Sequence, residues 1–156
     1  MLRGLSALLL CCSITLVLSE ECPEEEWKRF GYSCFFFGEI QISWLYAQYF
    51  CHSMPGVNAH LAYIFSEEEN AFIKDRLNFR NYDNSYHIGA TDMNREGTFY
   101  WEKNDTLLDD SYTNWSFNEP NNAGSNEDCS EMNPRTGKWN DIPCTEAQRF
   151  ICRMEI

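Results

Sequence analysis

The most informative segment of the chain is residues 119–141, which reads EPNNAGSNEDCSEMNPRTGKWND. Its candidate metal ligands are three carboxylates and two amides: Glu119, Asn121, Glu127, Asn140 and Asp141. Because no His or Cys belongs to this set, all of its ligand atoms are hard oxygens. Calcium takes about six to eight oxygen ligands in flexible geometry, whereas softer metals prefer nitrogen or sulfur. The segment therefore predicts a Ca²⁺ site.

The mixture of amides and carboxylates also predicts the kind of ligand. An Asn side chain holds a cation through its oxygen while its NH₂ group remains free to donate a hydrogen bond. A neighbouring Glu on the same cation only accepts one. Since a sugar hydroxyl both donates and accepts, a pair of this kind suits it. The pattern thus indicates carbohydrate binding through a cation.

The first 19 residues have the pattern of a secretory signal peptide. Arg3 supplies a positive amino-terminal region, residues 5–18 are mostly apolar, and Val17 and Ser19 are small residues placed for cleavage. The apolar run is too short, and too often interrupted by Ser, Thr and Cys, to cross a bilayer comfortably. We therefore expect a secreted, extracellular protein whose single domain occupies residues 20–156, with no membrane insertion.

The charge of the chain narrows the classes of partner. With 12 Lys and Arg against 24 Asp and Glu, the net charge is −12, and removing Arg3 with the signal leaves −13. A surface this acidic disfavours nucleic acids and anionic membranes as partners. A bound divalent cation would relieve the repulsion between neighbouring carboxylates. Part of the charge has a simpler explanation, since Glu67, Glu68 and Glu69 suit the first turn of a helix.

Six cysteines remain once Cys11 and Cys12 leave with the signal: Cys22, Cys34, Cys51, Cys129, Cys144 and Cys152. An even number in a secreted chain predicts a disulfide framework, and the sequence alone does not choose its pairing. Zinc is the alternative, but no Cys-x-x-Cys motif is present and His52, His60 and His87 are scattered. The histidines also lack an evident nucleophile partner, so we expect no catalytic residue and no enzyme.

Local patterns predict a mixture of helices and strands. Residues 27–37 are rich in aromatics and predict a strand or hairpin, and residues 43–52 predict a helix that begins after Ser43. Ser66 and Glu69 form a capping-box pattern before a second helix at 67–77. Short strands are expected at 86–89, 99–101, 129–132, 138–140 and 150–153. Residues 111–128 have no period, and a connection of that length within a domain is usually functional.

Several separate motifs follow one another along the chain. They are Glu119-Pro120-Asn121, Glu127-Asp128-Cys129, Trp139-Asn140-Asp141, Phe150-Ile151-Cys152 and the layout of six cysteines. In this order and spacing they resemble a C-type lectin-like carbohydrate-recognition domain, over about residues 22–152. The resemblance implies an α+β fold with two helices, small antiparallel sheets, a long calcium-binding loop region and three disulfides.

The same resemblance implies the disulfide pairing Cys22–Cys34, Cys51–Cys152 and Cys129–Cys144. The first of these is the additional bridge of long-form domains. The second would close a loop of about a hundred residues, which stabilises a chain by up to ~4.7 kcal/mol in the chain-entropy model. The resemblance also implies a cis peptide bond before Pro120, which would turn Glu119 and Asn121 toward one cation.

The resemblance assigns roles to the oxygen ligands. Its principal Ca²⁺ ligands would be Glu119, Asn121, Glu127, Asn140 and Asp141, and the first four would also bind the sugar. The order Glu-Pro-Asn is similar to mannose-type members, whereas galactose-type members have Gln and Asp at these two places. Mannose, glucose, N-acetylglucosamine and fucose, which present equatorial vicinal hydroxyls, are therefore the expected partners.

An auxiliary Ca²⁺ site is implied by Asp92, Glu96 and Asp128, which match positions that some members of the family use. Without a metal, these residues would be ordinary exposed turn carboxylates. The chain departs from the family at His87, where a Trp is usual, so we expect different local packing there.

The remaining expectations concern the surface and the biology. Asn104 and Asn114 begin N-glycosylation sequons. The tryptophans Trp44, Trp101, Trp115 and Trp139 are expected in the core rather than as sugar platforms. By analogy with the family, the protein would recognise microbial glycans in innate immunity, and a homo-oligomer would supply avidity. The alternative is a non-sugar binder on the same fold: a protein-ligand domain, an antifreeze type or a mineral-associated acidic protein. The intact ligand set argues against the first two, and the charge of −13 keeps the mineral ligand open.

Overall fold

The computed structural model describes residues 21–23, 25–78 and 84–156, so the signal-peptide prediction for residues 1–19 lies outside the described part. The strands are β1 Lys28–Phe30, β2 Ser33–Ile42, β3 His60–Leu61, β4 Tyr86–Thr91, β5 Tyr100–Trp101, β6 Thr106–Leu107, β7 Cys129–Met132, β8 Trp139–Ile142 and β9 Gln148–Glu155. The helices are α1 Trp44–His52 and α2 Glu67–Asn78, with 3₁₀ turns at Leu108–Asp110 and Ala123–Ser125. In these ranges we find no helix with the length and apolar character that crossing a membrane requires.

The strands form one hydrogen-bonded network with two arms. One path runs β1-β2-β9-β4-β5-β6, and β3 also pairs with β9. The other arm runs from β4 through β7 to β8. All pairs are antiparallel except β4 with β9, which is parallel. The α+β prediction with two helices and antiparallel strands is confirmed, and the second arm leads directly from the core to the loop 111–128.

Aromatic side chains fill the core beneath this second arm. Trp44, Trp101 and Trp139 are at most 1% exposed, as predicted, whereas Trp115 is only half-buried. Trp139 packs edge-on against Trp101 at 5.6 Å between ring centroids. Its Nε1 donates to Asn70 Oδ1 at 2.8 Å, so its one polar atom is satisfied. Because Trp139 immediately precedes Asn140, this packing fixes the backbone that carries two of the predicted ligands.

The start of α2 explains the acidic run without a metal. Ser66 Oγ accepts from the backbone N–H of Glu69 at 3.2 Å, as a capping box requires. Glu69 Oε2 accepts from Phe65 N–H at 2.8 Å instead of from Ser66, so the reciprocal half is displaced by one residue. Glu69 also forms an ion pair with Arg153 of β9 at 2.9 Å. These contacts give the carboxylate a structural role.

Three disulfides cross-link the fold with the pairing that the resemblance implied. They are Cys22–Cys34, Cys51–Cys152 and Cys129–Cys144. Cys51–Cys152 joins α1 to β9 across 101 residues of sequence. Cys129–Cys144 joins the start of β7 to the segment after β8, across 15 residues. It thereby ties together the two segments that carry Glu127 and Asn140.

His87, at the position where the resemblance implied that a Trp is usual, is held by hydrogen bonds to two backbone carbonyls. His87 is fully buried in β4, and its Nε2 donates to the carbonyl oxygens of Ile42 at 3.0 Å and Glu146 at 3.2 Å. Burial lowers the pKa of His87 to about 4, and the two carbonyl hydrogen bonds offset this only in part. The imidazole is therefore neutral near pH 7. Its hydrogen bonds join β4 to Ile42 at the end of β2 and to Glu146 before β9.

Candidate functional site

The predicted ligands come from two places, the irregular loop 111–128 and strand β8. The Glu119–Pro120 peptide bond is cis, as the resemblance implied. The loop turns through left-handed backbone at Asn118, Asn122 and Ser125, with φ of 67°, 45° and 57°. Asn tolerates this conformation better than most residues with a side chain, which accounts for its frequency here. With no ladder of its own, the loop depends on individual polar contacts.

Asp141 supplies a side-chain contact between the loop and the sheet, in addition to the backbone hydrogen bonds that join Asn114 and Ser116 to Trp139. It lies in β8 opposite Ser130 and is 1% exposed. Its two carboxylate oxygens each lie 3.0 Å from Asn121 N, and one of them accepts from Asn122 N at 2.7 Å. Hydrogen bonds to a charged group contribute about 1.5–3 kcal/mol each. Asp141 therefore fixes the backbone of the Glu-Pro-Asn segment beside β8.

Glu119 and Asn121 form a hydrogen-bonded pair at the surface of this loop. Asn121 Nδ2 donates to Glu119 Oε2 at 2.5 Å. Burial raises the pKa of Glu119, and the neighbouring Asp141 and the charge of Glu127 raise it further. Because Asp141 and Glu127 contribute to this rise, negative groups lie near one another here, and a bound cation would relieve their repulsion.

Glu127 and Asn140 complete the set less directly. Glu127 Oε2 accepts from Ala123 N–H at 2.6 Å, and its own N–H donates to Asn122 Oδ1 at 3.1 Å. Asn140 stands next to Asp141 and opposite Glu131 in the β7–β8 ladder, and its side chain is hydrogen-bonded to Glu131. Glu131 was not predicted as a partner of Asn140, because the register of neighbouring strands is not visible in a linear pattern.

The predicted oxygen ligands lie in one region of the molecule, but they do not all bond to one another. Among the acidic, His and Cys side chains in the described ranges, one group of three has all of its ligand atoms within 4.8 Å of one another. That group is His52, His60 and Glu102, and not three of the predicted carboxylates. Hydrogen bonds join Asn121 to both Glu119 and Asp141. Glu127 and Asn140 instead bond to Ala123 and Glu131.

The residues of the predicted auxiliary site also meet. Asp92 is 2% exposed, and its Oδ2 accepts from Gly97 N–H at 2.8 Å. Asp128 approaches through its backbone carbonyl, which accepts from Asp92 N–H at 3.2 Å. Burial raises the pKa of Asp92, and the charges of Glu96 and Asp128 raise it further. Asp92 Oδ1 is buried and has no hydrogen-bond partner among the described residues, so Asp92 is not the exposed turn carboxylate of the simpler interpretation.

Phe117 is a feature of the loop that the sequence interpretation missed. It is 91% exposed and stands two residues before Glu119. A large aromatic side chain so exposed, beside polar ligands, is available to contact a bound molecule. The signal in the sequence was a lone aromatic within a stretch of Asn, Ser and Glu.

One cavity lies in a different part of the molecule, around β2. It has a volume of about 650 Å³ and is lined in part by Phe36, Gly38, Phe50 and Phe150 around β2. None of the predicted ligands lines it. Since the oxygen set lies on a partly exposed loop, ligand binding there would occur at the surface and would need no deep cavity.

The fold and this loop identify the class of protein. Residues 40–154 match the family model described as Lectin C-type domain. The chain therefore belongs to the C-type lectin domain family, a family of lectins and receptors and not of enzymes.

Individual relatives agree with this assignment. The chain is 38% identical over 136 residues to CD209 antigen-like protein A of Mus musculus, covering 87% of this chain and 53% of that protein, so it spans about half of that relative's length. The cow CD23 carbohydrate-recognition domain, solved in the presence of GlcNAc2Man3 oligosaccharide, superposes with a TM-score of 0.75 at 34% identity, covering 87% and 97% of the two chains. Herring type II antifreeze protein superposes with a TM-score of 0.72 at 34% identity, covering 86% and 99%.

Proposed function

We propose that this chain is a secreted, Ca²⁺-dependent lectin that binds mannose-type sugars at the loop 111–128. The observation that carries the proposal is the buried Asp141 carboxylate, which fixes the Glu119–Asn121 segment beside β8. The arrangement presents an amide donor next to a carboxylate acceptor, the pairing that a sugar hydroxyl requires. The three disulfides fit an oxidising, extracellular compartment.

The donor set fits calcium. Glu119, Asn121, Glu127, Asn140 and Asp141 would hold the principal ion through carboxylate and amide oxygens. Burial raises the pKa of Glu119, and Asp141 and Glu127 raise it further; a divalent cation would offset the repulsion among these carboxylates. Asp92, with Glu96 and Asp128, would hold an auxiliary ion, and the buried Asp92 Oδ1 without a partner supports that assignment. When bound, the principal ion would supply direct ligation of two vicinal hydroxyls.

The side chains of the loop would set the sugar preference. Asn121 now donates to Glu119, and a sugar hydroxyl would exchange that contact for one hydrogen bond from the amide and one to the carboxylate. Glu127 and Asn140 would form the second pair around the other hydroxyl. Since exchanging amide and carboxylate reverses donor and acceptor, the order Glu-Pro-Asn favours mannose, N-acetylglucosamine, glucose or fucose over galactose.

We expect the affinity for a single sugar to be weak. A monosaccharide buries little surface, so the dissociation constant should be roughly millimolar. Binding several residues of a clustered glycan, or association of several copies of the chain, would raise the avidity. Recognition of microbial glycans in innate immunity is the biological role that we propose.

Of the two glycosylation sequons, Asn104 is the one that the surface favours. Asn104 is exposed, whereas both polar atoms of the Asn114 side chain are engaged, with Gly137 O at 2.7 Å and Lys138 Nζ at 2.7 Å. We propose a glycan at Asn104. A glycosidase-sensitive mass shift should therefore disappear in Asn104→Gln and persist in Asn114→Gln.

The deciding experiment is retention of the mature protein on mannose-agarose and galactose-agarose, with Ca²⁺ and then with EDTA. We expect retention on mannose that depends on Ca²⁺, and none on galactose. Retention on mannose that EDTA does not reverse would contradict the role of the cation. Retention on galactose alone would contradict the assigned sugar class.

A binder of a non-sugar ligand is the second candidate, and the similarity to an antifreeze protein favours it specifically. The charge of −13 for residues 20–156 also suits a mineral surface. Ca²⁺ binding by calorimetry without retention on either resin would favour this candidate over the lectin.

A further inference from the structure

Two of the histidines that are scattered in the sequence meet in the fold. His52 is the last residue of α1, and His60 is the first residue of β3. His52 Nε2 and His60 Nδ1 are 2.8 Å apart, and the rings cross edge-on at 4.5 Å between centroids. Glu102, which directly follows β5, brings its Oε2 to 4.0 Å from His60 Nδ1. All three ligand atoms lie within 4.8 Å of one another.

We propose that His52, His60 and Glu102 form a binding site for a divalent transition-metal ion of the zinc class. Two imidazole nitrogens and a carboxylate oxygen are the ligands that Zn²⁺ takes in sites with three protein ligands. This set of ligands disfavours Ca²⁺, because Ca²⁺ binds oxygen ligands and two of these three are imidazole nitrogens. The proposed site is therefore separate from the calcium sites, and it does not rest on the lectin function.

The spacing is close to what a shared ion requires. Ligand atoms about 2.0–2.1 Å from a tetrahedral Zn²⁺ lie roughly 3.3 Å apart. The two nitrogens, now 2.8 Å apart, would separate by roughly 0.5 Å, and the carboxylate, now 4.0 Å from His60 Nδ1, would approach by roughly 0.7 Å. The side chains of His60 and Glu102 are 17% and 33% exposed and His52 is exposed, so an ion can enter and keep an open position for water.

Neighbouring groups orient the three side chains and favour the neutral form of His60. Gln48 is 7% exposed, and its Oε1 accepts from Leu61 N–H at 2.9 Å, which fixes the orientation of its amide. Its Nε2 then donates to Glu102 and faces His52 Nε2 at 3.0 Å. Burial lowers the pKa of His60, and the nearby His52 lowers it further, which leaves a neutral imidazole as a metal requires. The adjacent cation Lys103 is paired with Glu155 at 3.1 Å.

A hydrogen-bonded histidine pair that binds no metal is the competing interpretation. In that case His60 Nδ1–H donates to His52 Nε2, and the cluster only joins the end of α1 to β3. The two interpretations differ in one measurable respect. A metal ion would change the environment of both imidazoles at equal stoichiometry, whereas a structural pair would not respond.

The test uses the mature, disulfide-bonded protein saturated with Ca²⁺, so that the carboxylate sites are already filled. Zn²⁺ is titrated by calorimetry, and the imidazole nitrogens are followed by ¹⁵N NMR. We expect one Zn²⁺ per chain, with shifts at His52 and His60. His87 is an internal control, since it is fully buried and donates to two backbone carbonyls. Absence of shifts at His52 and His60 would overturn the proposal.

Variants then assign the ligands. His60→Ala and Glu102→Gln should each weaken Zn²⁺ binding by at least about tenfold, since even loss of an outer-sphere partner costs about that much. Asp75→Asn, which removes an exposed carboxylate of α2, should leave it unchanged. His52→Ala, at the exposed end of α1, provides a second test if His60→Ala does not fold. Undiminished binding in the ligand variants would also overturn the proposal.

Discussion

The sheet core and the loop 111–128 are stabilised in different ways. In the core, Phe35, Ile88 and Phe150 are fully buried and pack within two clusters of apolar side chains. The loop exposes Phe117 and Asn121, and is held by backbone N–H groups that donate to Asp141. The difference implies that substitutions in the core should change the free energy of unfolding, whereas substitutions in the loop should change ligand binding. The following predictions test this separation.

The largest effect on stability should come from the disulfide that closes the core. Replacing Cys51 and Cys152 by Ala frees a loop of 101 residues in the unfolded chain. In the chain-entropy model this lowers the free energy of unfolding by up to ~4.7 kcal/mol. Removing Cys129 and Cys144, which close 15 residues, should cost about 3 kcal/mol. Urea unfolding followed by tryptophan fluorescence measures both, and a larger loss for the shorter loop would contradict the model.

The free energy of unfolding should also depend on pH, because His87 is buried in strand β4. The pKa of His87 is about 4 in the folded protein, below the ordinary value of 6.5 that the unfolded chain has, so the unfolded chain takes up the proton first as the pH falls. Its contribution is fully present above pH 6.5 and is lost progressively as the pH falls toward 4. The loss amounts to roughly 3 kcal/mol, at about 1.4 kcal/mol per pH unit.

His87→Phe provides the reference, because Phe does not titrate. The difference in unfolding free energy between the protein and this variant should vary with pH over that window. Carboxylates and the other histidines titrate in both proteins, so their contributions cancel. A difference that stays constant from pH 7 to pH 4 would show that His87 is not the titrating group.

In the loop, Asp141→Asn should loosen one segment without unfolding the core. The amide retains one acceptor oxygen, and its NH₂ group faces a backbone donor. Losing one charge-assisted hydrogen bond, worth about 2 kcal/mol, should speed amide exchange at Asn121 and Asn122 roughly thirtyfold. Exchange measured in EDTA isolates this effect from any cation. Asp109→Asn, at an exposed carboxylate, is the control, and unchanged exchange at both amides would contradict the anchoring role of Asp141.

The sugar preference should depend on two side chains of the same loop. Glu119→Gln combined with Asn121→Asp reverses the donor and acceptor of the pair. We expect the ratio of galactose to mannose binding to rise about tenfold, or ~1.4 kcal/mol, by the hydrogen-bond pairing argument. Competition assays with the free sugars measure the ratio. A variant that keeps its preference for mannose would show that contacts outside this pair decide specificity.

The core and the loop also differed in how well the sequence predicted them. The two predicted helices and the five predicted short strands matched the structure within a few residues, because their apolar and aromatic residues form recognisable local patterns. Strands β3 and β6 were missed, since each has two residues and neither contains the run of aromatic residues that marked β5. The identity of the candidate ligands was visible in the sequence motifs.

What the sequence did not reveal were contacts between residues that are distant along the chain. The pairing of Asn140 with Glu131 depends on the register of β7 and β8, and the approach of His52 to Glu102 depends on how α1 packs. The orphaned Oδ1 of Asp92 is likewise a consequence of burial. Such contacts arise from tertiary packing, which a local pattern does not encode.

The smallest effect should come from the exposed aromatic beside the ligand set. Phe117→Ala removes a ring that is 91% exposed, so it should leave the free energy of unfolding unchanged within about 0.5 kcal/mol. If the ring packs on the second residue of an oligosaccharide, binding of a mannose oligosaccharide should weaken two- to threefold, or roughly 0.5 kcal/mol. Binding of the single sugar should not change.

Tyr49→Ala is the matched control for this substitution, since Tyr49 is 71% exposed on α1, outside the loop. Calorimetry with mannose and with a mannose oligosaccharide compares the two variants. An equal loss in both variants would mean that the effect is general. A loss for the monosaccharide as well would place Phe117 at the primary sugar, and the loop would then bind through an apolar contact in addition to its oxygen ligands.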